Sequence, residues 1–312
     1  MWRTQAMLVA IIDIGTNTFN LLVCQRENEL HVIHGEEVAV FLGRGGIERG
    51  ILTDDAMERG IIALRSLVEK AHELGVERIE AFGTSALRNA RNAHVFAGRV
   101  KNEFSFDIRI ITGDEEASLI LEGVRQAVTF TAKPMLVMDI GGGSIEFILA
   151  TNKALMWKRS FEIGATRLLE RFSPSDPITL EEHFRIASYL DVQLEPLFAM
   201  MDRHWPHALV GSAGSFDTIA EMMSSEKGTT LADTAITCSF TNTEFDAVKE
   251  RLLAMDRSER QGIPGLPEFR VDTIPVALIA IERVLLHGIE QLHWSRYSLK
   301  EGAAMRAMSE AV

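Results

Sequence analysis

The chain is predicted to be an α/β protein in two halves. Short apolar runs that suit strands alternate with stretches of helical apolar spacing, and the order strand, glycine turn, strand starts again at Met135. An internal repeat supports the division. With Asp13 laid on Asp139, DIGTNTFNLLVC runs over DIGGGSIEFILA without a gap; Asp, Ile and Gly coincide, and Thr18 falls on Ser144. An offset of 126 residues is too long for a solenoid repeat and suits a duplicated domain.

The elements follow in order. MLVAIIDIGTNTFNLLVCQ reads as two buried strands around a turn, and HVIHGEEVAVFLGRGG as a strand and a glycine-rich loop. Thr53 caps a helix, Asp54 and Asp55 suit its positive end, Ile61, Leu64, Leu67, Val68, Ala71 and Leu74 give its apolar stripe, and Gly75 stops it. RIEAFGTSAL is a strand entering a loop, with a helix from Ala93 to Phe104, and DIRIITGDEEASLILEGV is strand, turn and helix. In the second half a hairpin is followed by WKRSFEIGATRLLERF. A capping box at Thr179–Glu182 then opens a helix. HALVGSAGSFDTIA is strand, turn and helix, GIPGLPEF is a loop, and a long apolar helix runs from Thr273 to His287.

At 312 residues the chain is about twice a typical domain, and 46% hydrophobic with 24% charged residues describes a globular protein. A net charge of −12 excludes a nucleic-acid binder, which needs a basic footprint, but leaves room for a polyanion in a locally basic pocket. Two cysteines, Cys24 and Cys238, make neither a disulfide framework nor a cysteine metal site. The opening MWRTQAMLVAII reads as a first strand and not as a signal peptide. No run approaches membrane-spanning length, so the expected location is the cytoplasm, with no membrane partner.

Glycines in a turn let backbone N–H groups converge on an anion, a hydroxyl adds a donor, and an aspartate at the strand end can hold a cation or its water. Gly15, Thr16, Asn17 and Thr18, and in the second copy Gly141, Gly142, Gly143 and Ser144, therefore read as two phosphate loops, expected to face each other across a cleft. Tight hairpins alone would explain one copy; two in register, each after an aspartate that ends an apolar strand, favour phosphate. In GTSALRNARNA two hydroxyls, Thr84 and Ser85, precede Arg88 and Arg91, which read as solvated arginines or as guanidiniums for phosphate oxygens. Asp114, Glu115 and Glu116 open a helix and complement its dipole, and one of them could orient a water. GSAGSFD, with Gly211 and Gly214, lacks the P-loop lysine and is either a tight strand–helix turn or a seat for a nucleotide base.

DIGTNT, GTSALRNARN, ITGDEEASLI, DIGGGSIE and GSAGSFD, in this order, resemble the exopolyphosphatase/guanosine pentaphosphate phosphohydrolase (Ppx/GppA) family, here in a short form without the C-terminal helical domain. FLGRGG, IGATRLLERF and SRYSLKEGA extend the resemblance over essentially the whole chain. It implies two actin-like (ribonuclease H-like) domains of the sugar kinase/Hsp70/actin superfamily with an interdomain cleft, expected at residues 1–127 and 128–312. By the same resemblance Glu116 is the catalytic glutamate, and Asp139 and Glu146 are metal ligands, with Asp13 placed to share the metal through water. Arg88, Arg91, Ser85, Gly211 and Gly214 would bind substrate, and Mg²⁺ or another divalent cation is the implied cofactor. The implied activity is phosphoric anhydride hydrolysis: removal of the terminal phosphate of inorganic polyphosphate, or alternatively of the 5′-terminal phosphate of guanosine pentaphosphate. An actin-like ATPase or kinase, or a non-catalytic polyphosphate or nucleotide sensor, is the further alternative. A homodimer is left open.

Overall fold

The computed structural model describes residues 8–26, 30–229, 231–232 and 234–309. The chain divides into two units: residues up to Gly123 together with those from Ser298 on, and Val124–Tyr297.

In the first unit β1 (Leu8–Ile14), β2 (Thr18–Arg26), β3 (Leu30–Ala39), β4 (Arg78–Gly83) and β5 (Ile108–Ile110) form one sheet in the order β3-β2-β1-β4-β5. The first three pair antiparallel, and β4 and β5 add parallel. Helix α1 (Asp54–Glu73) is capped by Thr53, whose hydroxyl accepts from the Ala56 amide, and the chain leaves it through Gly75 at φ +79°. Its stripe, including Ile61, Leu64, Leu67 and Val68, packs with Ile12, Ile14, Phe19 and Leu21 in one core. The segment read as loop after β4 contains a short helix, α2 (Ser85–Asn89), followed by α3 (Ala93–Phe104); five residues are too few to show a helical period. Helix α4 (Gly113–Ala127) follows β5.

The second unit repeats the plan. β6 (Met135–Ile140), β7 (Ile145–Ala150) and β8 (Leu155–Phe161) form the antiparallel part, followed by α5 (Ala165–Phe172) and α6 (Leu180–His204). The expected box caps α6: the Thr179 hydroxyl accepts from the Glu182 amide, and the Glu182 carboxylate from the Thr179 amide. β9 (Ala208–Ser212), α7 (Gly214–Glu226), β10 (Thr237–Phe240), α8 (Asn242–Ala254), α9 (Arg257–Arg260), α10 (Ile274–Leu285) and β11 (Gln291–Ser295) complete it, with sheet order β8-β7-β6-β9-β11-β10. β6 and β7 are buried along their whole length, which is why both read as continuous apolar runs without alternation. Helix α10 is buried from Ile274 to Ile281 and is accordingly apolar on every side. Each unit is an actin-like domain: a three-stranded antiparallel meander extended by parallel strands on the side of its first strand, with β10 added antiparallel at the far edge of the second sheet.

The second domain expected at 128–312 lacks its last helix: α11 (Leu299–Ser309) packs on β1 and β2 of the first unit. The cause is a backbone-to-backbone crossing with α4. A Cβ on Gly302 would lie 1.9 Å from the Leu119 carbonyl oxygen, and one on Gly123 equally close to that of Ser298. Arg306 and Glu122 form an ion pair at the same crossing, with Nε 2.8 Å from Oε2.

Candidate active site

The internal repeat is a repeat of register. In the first hairpin Asp13 pairs with Asn20 and Ile14 with Phe19; in the second Asp139 pairs with Glu146 and Ile140 with Ile145, each number raised by the same 126. Both turns close on the same bond, Gly15 N–H to the Thr18 carbonyl at 3.1 Å and Gly141 N–H to the Ser144 carbonyl at 3.0 Å. A Cβ on Gly15 would sit 2.7 Å from that Thr18 oxygen, so the turn requires glycine there.

Each turn is also held from outside by the chain that follows its third strand. After β3, the amides of Val40 and Phe41 donate to the Asn17 carbonyl at 2.8 and 2.7 Å, and that of Gly43 to Thr16 at 3.0 Å. After β8, the amides of Gly164, Ala165 and Thr166 donate to the carbonyls of Gly143, Gly141 and Gly142 at 3.2, 3.0 and 2.9 Å. Gly164 is needed for this approach, because its Cβ would lie 2.5 Å from the backbone of Gly142 and Gly143. The carbonyls are thereby fixed on one side of each loop. Among the described residues no acceptor takes the amide hydrogens of Gly142 and Gly143, or that of Thr16, although Gly143 and Thr16 are buried. Buried N–H groups held like this are costly unless an acceptor such as water or an anion takes them, and several converging in one turn suit an anion.

The remaining candidates of the first unit lie where β4 and β5 end beside β1. Thr84 follows β4 and donates its amide to the Ile14 carbonyl at 3.3 Å; Ser85 is buried next to it. Of the three acids at the start of α4, Glu116 alone is buried, at 7% exposure. Glu115 is tied to Arg109, while Asp114 is exposed. Arg88 Nη1 meets Glu116 Oε2 at 2.7 Å. Arg88 and Arg91 therefore part company: Arg88 turns to the glutamate, while exposed Arg91 donates through Nη2 to the Arg49 carbonyl at 3.3 Å.

In the second unit Asp139 and Glu146, 6% and 1% exposed, are direct cross-strand partners and so share one face of the sheet. Ser212 donates to Asp139 Oδ2 at 2.7 Å and Ser160 to Glu146 Oε1 at 2.6 Å. Two carboxylates held about 5 Å apart repel by roughly 3 kcal/mol at an effective dielectric of about 20. This pair fits a hard divalent cation. No cluster of three or more His, Cys, Asp or Glu side chains suited to a metal occurs among the described residues, so water and substrate oxygens would complete the shell, as Mg²⁺ tolerates. In the first hairpin the position of Glu146 is taken by Asn20, which leaves Asp13 opposite an amide.

Gly211 and Gly214 are occupied by the fold itself. Gly211 lies within β9 under the Phe216 ring, where a Cβ would come 2.0 Å from the ring, and a Cβ on Gly214 would lie 2.4 Å from the Arg270 guanidinium. The turn between them uses Ala213 at φ +61° and not a glycine.

Sequence reasoning overlooked Ser212, Ser160 and Arg167. Ser212 is the parallel neighbour of Asp139, and its place at the end of a strand could have marked it. Arg167, whose Nε donates to the Gly143 carbonyl at 3.1 Å, carries no such signal, since its partner is 24 residues away.

A sequence model described as the Ppx/GppA phosphatase family matches residues 22–311. Exopolyphosphatase 2 of Mycobacterium tuberculosis is 30% identical over 95% of this chain and 97% of its own length. The guanosine-5′-triphosphate,3′-diphosphate pyrophosphatase of Photobacterium profundum is 28% identical over 97% of this chain, which spans 60% of that longer protein. Among solved structures, an exopolyphosphatase from Cytophaga hutchinsonii is 38% identical with a TM-score of 0.94, covering 98% of this chain and 99% of the other.

Proposed function

The chain belongs to the Ppx/GppA phosphatase family, and from that premise we propose that it is an exopolyphosphatase, a phosphoric anhydride hydrolase that cleaves orthophosphate from the end of inorganic polyphosphate with water. The observation that carries this reading is the pair of clamped glycine turns, whose carbonyls are occupied from behind while amides of Thr16, Gly142 and Gly143 remain as donors. Donors fixed in advance suit phosphoryl transfer, where the loose transition state spreads charge over its equatorial oxygens and the protein mainly positions and neutralises.

Roles are assigned within each unit. In the first, Glu116 orients a water and accepts its proton, Arg88 holds the Glu116 carboxylate in place, and Thr16, Asn17 and Thr18 donate to phosphate oxygens. In the second, Gly142, Gly143 and Ser144 donate to phosphate, and Asp139 and Glu146, steadied by Ser212 and Ser160, would hold the divalent cation, Mg²⁺. When bound, that cation supplies charge neutralisation to the phosphoryl oxygens. Asp13, at the end of β1, would accept from a cation-bound water. Ser85 and Arg91 belong to substrate binding. Gly211 and Gly214 serve it only indirectly, because Phe216 and Arg270 fill the space beside them; this also leaves the ATPase or kinase reading without a base pocket at that turn.

Hydrolysis of the 5′-terminal phosphate of guanosine pentaphosphate is the second reading, favoured by the likeness to the Photobacterium enzyme. Orthophosphate release by the purified chain from each substrate, with Mg²⁺ and with chelator, decides between them. Faster release from polyphosphate, lost on chelation, is expected; a preference for the guanosine compound reverses the order.

A further inference from the structure

Residues 40–53, between β3 and α1, are built onto the first glycine turn through the bonds from Val40, Phe41 and Gly43 to Asn17 and Thr16. This segment carries Arg44 and Arg49, and Arg91 reaches it from beyond α2. All three are exposed. The Arg44 guanidinium lies 3.8 Å over the Phe41 ring, and Arg49 donates to the Gly45 carbonyl. Arg91 donates its amide to the Gly50 carbonyl at 2.9 Å and its Nη2 to that of Arg49. Their contacts are thus a ring and backbone oxygens.

Most other arginines of this unit behave differently: Arg65, Arg78, Arg88 and Arg99 each meet a carboxylate, in Glu103, Glu80, Glu116 and Glu58. Arg59 instead donates through its guanidinium to the Val40 and Phe41 carbonyls at 2.8 and 3.0 Å and so braces the same segment. Among the described residues none of Arg44, Arg49 and Arg91 forms an ion pair, in a chain whose 44 acidic residues outnumber its 32 lysines and arginines. Glu48 is the one acid between residues 40 and 53. Guanidiniums placed by carbonyls and an aromatic face, with charge left over, suit phosphate oxygens.

We propose that Arg44, Arg49 and Arg91 form an outlying anion subsite beside the first glycine turn, which takes phosphates of the chain beyond the terminal ones and makes the protein favour long polyphosphate. The proposal rests on the exopolyphosphatase reading for its ligand. Arg91 was already a substrate candidate; Arg44 and Arg49 are new, and together they turn isolated contacts into a track.

The test is equilibrium binding of long-chain polyphosphate and of tripolyphosphate to the Glu116→Gln chain, which avoids turnover, compared with the same chain carrying R44E and R49E. Long-chain affinity is expected to fall roughly tenfold or more and tripolyphosphate affinity less than about threefold. The salt dependence of long-chain binding should also become shallower by about one unit of logarithmic slope or more. Arg44→Ala alone, which removes only a contact with the Phe41 ring, guards against misfolding and should weaken long chains roughly two- to fivefold. Equal loss for both ligands, no loss for either, or no preference for long chains in the parent protein overturns the subsite. Phosphate release is measured separately on the unaltered chain: length-dependent binding without release would sink the hydrolase reading and leave the subsite standing.

Discussion

Arg88 Nη1 lies 2.7 Å from Glu116 Oε2 and also donates to the Ile111 carbonyl at 3.3 Å, so a single guanidinium ties α2 to the approach and first turn of α4. Nothing in the order of the motifs announces this contact, since both arginines of GTSALRNARNA looked equally free to meet substrate. Arg88→Ala is expected to cost about 2 kcal/mol of stability, the scale of a hydrogen bond to a charged group. Turnover should fall with it, while Arg88→Lys restores stability better than it restores turnover, because lysine lacks the planar fork. Urea unfolding beside phosphate release measures both.

Glu116→Gln keeps the shape of the side chain and removes its basicity. Hydrolysis is expected to drop by roughly 10²–10⁴-fold with polyphosphate affinity nearly intact. A variant as fast as the parent would show that another group serves as base.

Asp139→Asn and Glu146→Gln each remove one charge from the cross-strand pair. Both are expected to raise the Mg²⁺ concentration needed for half-maximal phosphate release, and to stabilise the metal-free protein or leave it unchanged, since like-charge repulsion is relieved. Calorimetric melting with chelator and with Mg²⁺ separates the effects; a variant melting lower than the parent in chelator contradicts the assignment.

Gly164→Ala pushes a methyl group into the backbone of Gly142 and Gly143 and is expected to cost about 1–3 kcal/mol together with phosphate affinity. Gly98→Ala in the exposed middle of α3, where a Cβ meets nothing within 4 Å, is expected to stabilise by about 0.5–1 kcal/mol and to leave activity alone. Melting curves of the pair check that the penalty belongs to the loop and not to glycine replacement in general.

Hydrogen bonds from Ser175 first, then from Thr179, hold the Glu182 carboxyl down at about 2. A depressed carboxylate stabilises the fold above its ordinary value of 4.5, and that contribution is lost as pH falls from there towards 2. Glu182→Gln is therefore expected to melt below the parent at pH 7, with the gap narrowing below pH 4.5 and closing only as pH approaches 2. A gap that widens on acidification contradicts the sign.

How much of this was legible follows from where each signal sits along the chain. The twin hairpins could be read because Asp, Gly and the hydroxyl recur within six residues, and the register that follows is fixed by the turn itself. The clamps could not, since Phe41 and Ala165 act through backbone amides, which leave no residue type to recognise. The crossing of α4 and α11 depends on Gly123 and Gly302, residues 179 positions apart that look like ordinary helix glycines until both backbones meet. At GSAGSFD the glycines suit a tight strand–helix turn and a base seat equally; side chains from Phe216 and Arg270, one of them remote in sequence, fill the space and leave the tight turn.

The amide signals of Thr16, Gly142 and Gly143, followed by NMR in isotope-labelled Glu116→Gln protein as tripolyphosphate and Mg²⁺ are added, probe the twin anion cradles most directly. All three should move strongly downfield as phosphate oxygens accept their hydrogens. Saturated binding that leaves them unmoved, while resonances elsewhere shift, would contradict the account.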